Sequence, residues 1–300
     1  MSPLEALART GLDVEERFVR SFDGTRIAFH SIGRGPAILL ANGLGGSYKA
    51  WAHQLGRFAP RHRFLSWDYR GLYRSGPPPD RNAILIADHV RDALAVLDAA
   101  GEPDAVVFGW SMGVQVGLEL YAQAPSRVRG LVLLNGVAGS PYEYVLNAPR
   151  LGRTFPHVLG VMRKFPSLAQ KVTERVVMWP GAVGLVKRVG VAAPTLDESV
   201  FRDLAESFAG LDMELYFHIL QRIGDHDARP VLRRLNVPAL VVAGDRDLMT
   251  PRAAAEAMVR EAPDAELFIV PGGTHYAAVE YPDLINDRIE RFLRERGLDA

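Results

Sequence analysis

The stretch DAVVFGWSMGVQVGLELYAQA, residues 104–124, joins two apolar patterns with no loop between them. Its first part, residues 104–110, is a nearly continuous apolar run, which is typical of a strand in a parallel sheet covered on both faces. Its second part has helical periodicity. Ser111 stands between the two, in a turn so sharp that the residues two positions to either side must be small, and Gly109 and Gly113 meet that need. The stretch therefore predicts a strand, a strained turn with one serine at its apex, and a helix.

The alternation of strand and helix continues along the chain. Before it, RFVRSFDGTRIAFHSIG alternates apolar and polar residues around a turn at Asp23 and Gly24, which predicts two antiparallel strands. Further apolar runs, read as buried strands, lie at 36–43, 63–68, 128–136, 238–245 and 265–272. Helical patterns lie at 48–58, 82–100, 251–261 and 281–297. These patterns predict an α/β fold with a mostly parallel, doubly wound sheet of eight strands.

One connection is far too long for an ordinary crossover. About a hundred residues separate the strands at 128–136 and 238–245, where a crossover needs only a dozen or so. The intervening sequence has helix-like apolar periodicity in VLGVMRKF, ERVVMWP and ESFAGLDMELYFHIL. We therefore predict a core domain of residues 1–137 and 231–300, interrupted by a helical cap at 138–230.

Composition excludes several classes of protein. The 35 basic residues balance the 35 acidic ones, and no block of five or six like charges suggests binding to nucleic acid or to an acidic membrane surface. The start of the chain does not resemble a secretory signal, and no run approaches the roughly 18 apolar residues of a membrane span. Because cysteine is absent, disulfides, thiolate nucleophiles and Cys-ligated metals are excluded. We expect a cytoplasmic protein that acts on a small molecule, with its oligomeric state open.

A nucleophilic serine needs a base, and the base needs a carboxylate to orient it. Of the eight histidines, His275 in PGGTHYAAVE directly follows the last predicted strand, which completes the chain order Ser, Asp, His. The run PALVVAGDRDLMTP offers Asp245 and Asp247 at the end of the preceding strand. We predict Asp247 as the orienting acid, since it lies further into the loop, and Asp245 as a residue that ties the turn. Asn135, after the strand before that, carries no charge and is set aside.

The oxyanion of an acyl-transfer intermediate needs backbone N–H donors. Met112, the residue after the serine, supplies one donor in the usual geometry. The second is expected from the glycine-rich loop Asn42-Gly43-Leu44-Gly45-Gly46 after the strand at 36–41, where we predict the N–H of Leu44.

Taken together, these elements resemble the α/β-hydrolase superfamily. The resemblance rests on GWSMG at the serine, NGLGGS in the oxyanion loop, WDYRGLYRS after the strand at 63–68, GDRDLMTP around the acid and GGTHYAAVE around the histidine. Two departures stand out: Asn42 where the family usually has His, and Tyr73 where it usually has a second Gly. The resemblance implies a serine hydrolase that cleaves a carboxylic ester through an acyl-enzyme intermediate, with no metal and no organic cofactor.

Other readings of the same residues stay open. The same triad could serve a carbon–carbon bond hydrolase, a thioesterase, a lactonase or a perhydrolase, and the fold could also serve a ligand receptor with little turnover. A carbon–carbon hydrolase would need polar or basic cap groups that face the serine and bind an enol and a carboxylate. Candidates in the sequence are Arg153, Lys164 and Arg175. Apolar cap residues could line an acyl pocket or merely pack the cap; they are Met178, Trp179, Phe208, Met213, Tyr216 and Phe217.

Overall fold

A computed structural model describes residues 13–144, 149–177 and 179–299, with only the backbone described at 149–153. Its sheet has eight strands in the order β1-β2-β4-β3-β5-β6-β7-β8. The first two pairings are antiparallel and the remaining ones are parallel. The strands are β1 Val14–Arg20, β2 Arg26–Ile32, β3 Ala37–Ala41, β4 Arg63–Trp67, β5 Ala105–Trp110, β6 Val128–Leu134, β7 Ala239–Gly244 and β8 Ala265–Val270. The predicted α/β class and the eight-stranded, mostly parallel sheet are confirmed.

Helices connect these strands and cover both faces of the sheet. They are α1 Ala52–Phe58, α2 Ile86–Ala100, α3 Met112–Gln123, α4 Pro149–Met162, α5 Pro166–Val177, α6 Ala182–Arg188, α7 Glu198–Ala209, α8 Met213–Ile223, α9 Arg229–Leu232, α10 Arg252–Glu261, α11 Ala277–Glu280 and α12 Pro282–Glu295. Within the described residues, no helix has the length and apolar content needed to cross a bilayer.

The core is split by the sheet into two apolar layers. Successive strand residues point to opposite faces, so Leu39 of β3 packs in one layer and Leu40 in the other. One layer joins the sheet to α2, α3 and α10, and the other joins it to α1 and α12. Because both faces are covered, the strands read as continuous apolar runs in the sequence.

Several predicted boundaries differ from the structure by a few residues, and two of these differences have a visible cause. The strand predicted over 128–136 ends at Leu134, because Asn135 takes a left-handed backbone conformation with φ 45°. The helix predicted over 82–100 begins only at Ile86, where the Asp88 side chain accepts a hydrogen bond from the backbone N–H of Leu85 and caps the first turn.

The segment between β6 and β7, residues 138–230, is called the cap segment below. Its described part is helical and contains α4 to α8 and the start of α9. At its base the backbone N–H of Ala228 donates to the carbonyl of Ala138 at 2.7 Å, so the chain leaves and re-enters the sheet region at one place. Asp197 and Asp212 precede α7 and α8 as N-cap residues, and their side chains accept hydrogen bonds from backbone N–H groups of the first turn.

A buried ion pair anchors the loop that follows β4. Arg70 donates to both oxygens of Asp92 on α2 at 2.9 and 2.6 Å, and the exposed fraction of both side chains is 0%. A third bond from Arg70 reaches Asp23 at 2.9 Å. A buried guanidinium whose partner is removed keeps its full desolvation cost, so this pair holds the loop in one place.

We expect Asp92→Ala to lower the free energy of unfolding by about 3–5 kcal/mol, because it leaves Arg70 buried without its main counter-ion. Urea denaturation followed by circular dichroism measures the loss. Glu256→Ala is the matched control, since it removes an exposed ion pair with Arg252, and less than about 1 kcal/mol is expected for it. Equal losses in the two variants would contradict the assignment.

Candidate active site

Ser111 occupies the turn between β5 and α3 in a strained backbone conformation. Its φ is 56° and its ψ is −116°, a combination that a residue with a side chain rarely adopts. The turn is held from both sides: the Ser111 N–H donates to the carbonyl of Leu134 on β6, and its carbonyl accepts from the N–H of Val114, each at 3.0 Å. The strain is thus fixed by the neighbouring strand and helix, and the hydroxyl is presented at the start of α3.

The two glycines around Ser111 are required by contact. A Cβ atom on Gly113 would lie 1.9 Å from the carbonyl oxygen of Ala41 on β3, and one on Gly109 would lie 2.4 Å from the carbonyl oxygen of Gly113. Both distances are far inside van der Waals contact. The spacing Gly-x-Ser-x-Gly is therefore required by the close approach of α3 to the ends of β3 and β5.

His275 follows β8 and bridges the serine and a carboxylate. Its Nε2 lies 3.0 Å from Ser111 Oγ, and its Nδ1 lies 2.9 Å from Asp247 Oδ2. The indole N–H of Trp110 donates to the carbonyl of His275 at 3.0 Å, which ties the histidine loop to the serine turn. The structure thus brings together the three side chains predicted from three separate strand ends.

Asp247 is held by hydrogen bonds on both carboxylate oxygens. Oδ1 accepts the backbone N–H groups of Met249 and Thr250 at 2.8 and 2.9 Å, and Oδ2 accepts the Thr250 hydroxyl at 2.6 Å. Burial opposes ionisation, but the charge of His275 and the hydrogen bonds from His275 and Thr250 outweigh burial and lower the pKa of Asp247. Asp245 is exposed, and its side chain accepts a hydrogen bond from the N–H of Gly272 at 2.7 Å. This bond links the turn after β7 to the turn after β8, and Asp245 makes no contact of this kind with His275.

Asn135 is a site residue that the sequence analysis set aside. It lies just beyond β6, and its amide donates to Asp247 Oδ2 and to the carbonyl of Thr274, each at 3.0 Å. As a neutral donor, it therefore joins the loop after β7 that carries Asp247, called the acid loop, to the loop after β8 that carries His275, called the histidine loop. The only sequence signal was its place at a strand end, where it was judged solely as a carboxylate.

The oxyanion loop lies against the serine. A Cβ atom on Gly43 would stand 3.3 Å from Ser111 Cβ, so the backbone just before Leu44 lies against the serine turn. Among the turn, loop and cap hydrogen bonds of the described residues, none is donated by the backbone N–H of Leu44 or of Met112. Met112 is also the first residue of α3, where the helix dipole favours negative charge.

The two departures from the family pattern both support the oxyanion loop. The Asn42 side chain donates to Ser66 Oγ and the Trp67 carbonyl and accepts from the Trp51 indole at 2.9 Å, so it is buried beneath the loop. The Tyr73 hydroxyl donates to the carbonyl of Gly45, and its backbone has a positive φ of 50°. Both residues fix the position of the loop backbone.

Aromatic residues of the cap segment cover this site. A Cβ atom on Gly45 would lie 2.8 Å from the Phe208 ring and 3.1 Å from the Tyr216 ring. Phe201 packs edge to face on Tyr276, the neighbour of His275, with ring centroids 5.3 Å apart. Burial beneath this cover raises the pKa of Tyr276 to about 12. The side of the site that faces the cap segment is therefore lined by aromatic rings.

The other cap residues singled out from the sequence lie elsewhere. Met213 and Phe217 are buried in the apolar core, and Trp179 is half exposed at the surface. Lys164 and Arg175 are exposed on the outside of the cap segment. Met178 and the side chain of Arg153 lie outside the described residues. In that described part of the chain no group of three His, Asp or Glu side chains is arranged to hold a metal ion.

Comparison with known proteins agrees with this architecture. Over 275 residues the chain is 30% identical to RutD of Azorhizobium caulinodans, whose name provisionally assigns it carbamate hydrolysis, with 88% of this chain and 93% of that protein covered. It is 25% identical to 3-oxoadipate enol-lactonase 2 of Acinetobacter baylyi, over 86% of this chain and 89% of that protein. The enol-lactonase structure from Burkholderia xenovorans superposes with a TM-score of 0.75 at 24% identity, covering 93% and 100% of the two chains.

The model of the alpha/beta hydrolase fold family matches residues 36–282, from β3 to the start of α12. The matched range contains the serine turn, the acid loop and the histidine loop. The resemblance read from the sequence motifs is confirmed, and the chain belongs to the alpha/beta hydrolase fold family.

Proposed function

We propose that this protein is a serine hydrolase that cleaves a carboxylic ester of a small or medium apolar substrate through an acyl-enzyme intermediate. The observation that carries the proposal is the unbroken series of contacts from Ser111 Oγ through the His275 ring to the Asp247 carboxylate, at 3.0 and 2.9 Å. Family membership supports hydrolysis, and the contact series supports serine as the nucleophile.

In the acylation step, Asp247 accepts the Nδ1–H of His275, which leaves the Nε2 lone pair facing Ser111. His275 takes the hydroxyl proton while Ser111 Oγ bonds to the ester carbonyl carbon. The backbone N–H groups of Leu44 and Met112 donate to the resulting oxyanion. When the tetrahedral intermediate collapses, the carbon–alkoxy bond breaks and the alcohol leaves with the proton from His275.

In the deacylation step, water occupies the place that the alcohol has left. His275 takes a proton from this water, and the oxygen attacks the acyl carbonyl carbon. Collapse of the second intermediate breaks the bond to Ser111 Oγ, which recovers its proton from His275, and the carboxylic acid is released. Asp247 stays ionised throughout, because the groups that lower its pKa remain in place.

Two features of the cap segment support an apolar, uncharged substrate. Phe208 and Tyr216 lie against the oxyanion loop, and Phe201 lies against the histidine loop, so the cover of the site is aromatic. Lys164 and Arg175, two of the three basic groups that a carbon–carbon hydrolase could use to bind an enol and a carboxylate, are exposed on the outside, and the side chain of the third, Arg153, lies outside the described residues. This placement favours ester cleavage over carbon–carbon cleavage.

A second candidate is hydrolysis of a carbamate or of a lactone, since relatives of this chain bear those names. The same steps apply to either carbonyl, because the triad and the two N–H donors act on the acyl carbon and its oxygen. Only the leaving group and the shape of the covered space would differ.

We expect the highest kcat/KM on p-nitrophenyl esters of short to medium acyl chains, because the aromatic cover suits apolar groups. The assay compares these esters with a thioester, a lactone, an aryl carbamate and an enol-diketone. Preference for the lactone or the carbamate would select the second candidate. Uniform inactivity, with a thermal shift on ligand binding, would indicate a hydrolase-fold receptor instead.

Ser111→Ala is the control for this panel and should lower kcat by about a millionfold, since triad members act as a unit. Ser167→Ala, at an exposed serine on α5, is the matched variant and should leave turnover unchanged. A serine-directed phosphonate should add its mass to residue 111 alone in peptide maps. Activity of Ser111→Ala within tenfold of wild type would remove Ser111 from the mechanism.

Substitution of each of the two neighbouring aspartates by asparagine should have very different effects on activity. Asp247→Asn should lower kcat by about ten-thousandfold, because an amide donor facing Nδ1 stabilises the wrong histidine tautomer. Asp245→Asn should keep activity within about tenfold, since an amide oxygen can still accept the Gly272 N–H. Steady-state kinetics on one ester measures both, and the reverse ranking would show that the acid is misassigned.

Asn135 should act as a positioning residue for the acid. Asn135→Ala removes a donor to a buried carboxylate, and hydrogen bonds to charged groups are worth about 1.5–3 kcal/mol, so kcat/KM should fall about 10- to 100-fold. Asn135→Asp places a second carboxyl beside Asp247, whose pKa must then rise. When the pH is lowered, the variant should therefore lose its activity at a higher pH than the wild type does.

The pH profile separates positioning from folding, because a purely structural defect lowers activity without moving the acid limb. Asn82→Ala is the matched variant, since Asn82 is an exposed asparagine bonded to Asp80 and far along the chain from the acid. An unmoved acid limb in Asn135→Asp would contradict the positioning of Asp247 by Asn135.

A further inference from the structure

Exposed apolar side chains are concentrated on one part of the cap segment. Of the sixteen large apolar side chains that are exposed in the described residues, ten lie between positions 158 and 189. Their exposed fractions run from 39% to 61%, and they are Val158, Val161, Met162, Phe165, Leu168, Val172, Val176, Trp179, Leu185 and Val189. Single exposed apolar residues need no explanation, but ten of them concentrated in one stretch of the chain do.

The spacing of these residues places them in rows along successive helices. On α4 they stand at 158, 161 and 162, Phe165 follows in the turn between the two helices, and on α5 they stand at 168, 172 and 176. These intervals of three and four residues line one side of a helix. The opposite side of α5 packs against α7 and α8, so the apolar row faces solvent. These rows, together with the exposed residues Trp179, Leu185 and Val189 further along the chain, are called the outer cap face.

Positive charge is concentrated in the same segment. Between positions 155 and 190 there are six basic residues, which are Arg163, Lys164, Lys171, Arg175, Lys187 and Arg188, against the single acid Glu174. Three of the four lysines of the chain are among them. The rest of the chain carries the compensating negative charge, so the zero net charge of the whole sequence conceals a basic segment.

Most of these cations make no ion pair with any residue that the structure describes. Lys187 pairs with Glu198, and Arg163 donates to the side chain of Gln221. Within the described ranges, Lys164, Lys171 and Arg175 make no ion pair, and all three are exposed. Lys171 and Arg175 stand on the exposed side of α5, beside the row formed by Leu168, Val172 and Val176. The outer cap face therefore combines apolar side chains with unpaired positive charge.

We propose that the outer cap face docks on the surface of a membrane that contains anionic phospholipids. Amphipathic helices that lie in the membrane interface bury Trp, Phe and Leu among the acyl chains and set Lys and Arg against the headgroups. Phe165, Leu168 and Trp179 match the first requirement, and Lys164, Lys171 and Arg175 match the second. The attachment is peripheral, since these helices are short and carry charges along their length.

Charge argues against a second copy of this chain as the partner. In a symmetric dimer the same surface patch meets itself, which would bring Lys164, Lys171 and Arg175 of one copy close to the same residues of the other. Like charges brought together at an interface are unfavourable, whereas an anionic lipid surface attracts each of them. A bilayer satisfies both the apolar row and the cations beside it.

The outer cap face lies on the far side of the helices that cover the active site. α5 packs against α7 and α8, and these two helices carry Phe208 and Tyr216 over the oxyanion loop. Docking would thus hold the cover of the site close to the bilayer, where apolar esters concentrate. The proposal concerns attachment alone and stands whether or not the ester activity proposed above is correct.

The experiment is co-sedimentation of the full-length protein with vesicles of phosphatidylcholine mixed with phosphatidylglycerol, and with vesicles of phosphatidylcholine alone. We expect clear binding to the mixed vesicles and much weaker binding to the neutral ones. Binding should weaken at 1 M salt, where the Debye length falls to about 3 Å. Trp179 is half exposed, so its fluorescence should shift to shorter wavelength on binding, and Trp179→Phe should remove the shift.

Two pairs of substitutions separate the apolar and the electrostatic contributions. Lys164→Gln with Lys171→Gln should weaken binding about fivefold for each lysine removed. Phe165→Ser with Leu168→Ser should weaken it at least about tenfold for each apolar side chain removed. The controls are Arg294→Gln and Leu284→Ser on α12, an exposed cation and an exposed leucine outside the cap segment, which should bind like wild type.

Several results would overturn the proposal. Absence of binding to mixed vesicles by folded wild-type protein would do so, as would equal loss in the cap variants and the α12 controls. A dimer seen by light scattering, abolished by Phe165→Ser with Leu168→Ser and accompanied by no vesicle binding, would assign the face to a second copy. Circular dichroism and thermal unfolding verify that each variant is folded, and Ser111→Ala should bind vesicles as wild type does.

Discussion

The close approach of α3 to the end of β3 is the constraint on which the site depends. The backbone at Gly113 lies so near the carbonyl of Ala41 that no side chain fits between them. To enter α3 directly from β5 at this distance, the chain must bend at Ser111 into a backbone conformation that it would otherwise avoid. The bend leaves the hydroxyl and the N–H of Met112 at the helix start, and contacts with Leu134 and Val114 hold it there.

The remaining parts of the site are arranged around that turn by loops that hold one another. The acid loop, the histidine loop and the end of β6 meet at the Asp247 carboxylate, where Asn135, Thr250 and His275 all contact Oδ2. A buried carboxylate surrounded by donors keeps its charge and has one orientation. The oxyanion loop is held in the same way, from below by Asn42 and from the side by Tyr73.

The cap segment has two faces of different chemistry. Its inner face places Phe208 and Tyr216 over the oxyanion loop, and its outer face exposes apolar rows beside unpaired lysines and arginines. Polar contacts are stronger beside an apolar cover than in open water, because the local dielectric constant is lower. Exposed apolar rows are costly in water, so their presence on the outer face calls for a partner that covers them.

Local patterns in the sequence determined the class of fold and the candidates for the triad. Unbroken apolar runs indicated buried parallel strands, and the carboxyl ends of parallel strands meet at one edge of a sheet, so Ser111, Asp247 and His275 could be named from their places alone. Only the tertiary structure decided what depends on distant partners: Asn135 bonds to Asp247, Asn42 lies beneath the loop, and the apolar rows of α4 and α5 face outward. Helical periodicity shows that a helix has an apolar side, but the packing of the other helices decides whether that side is buried.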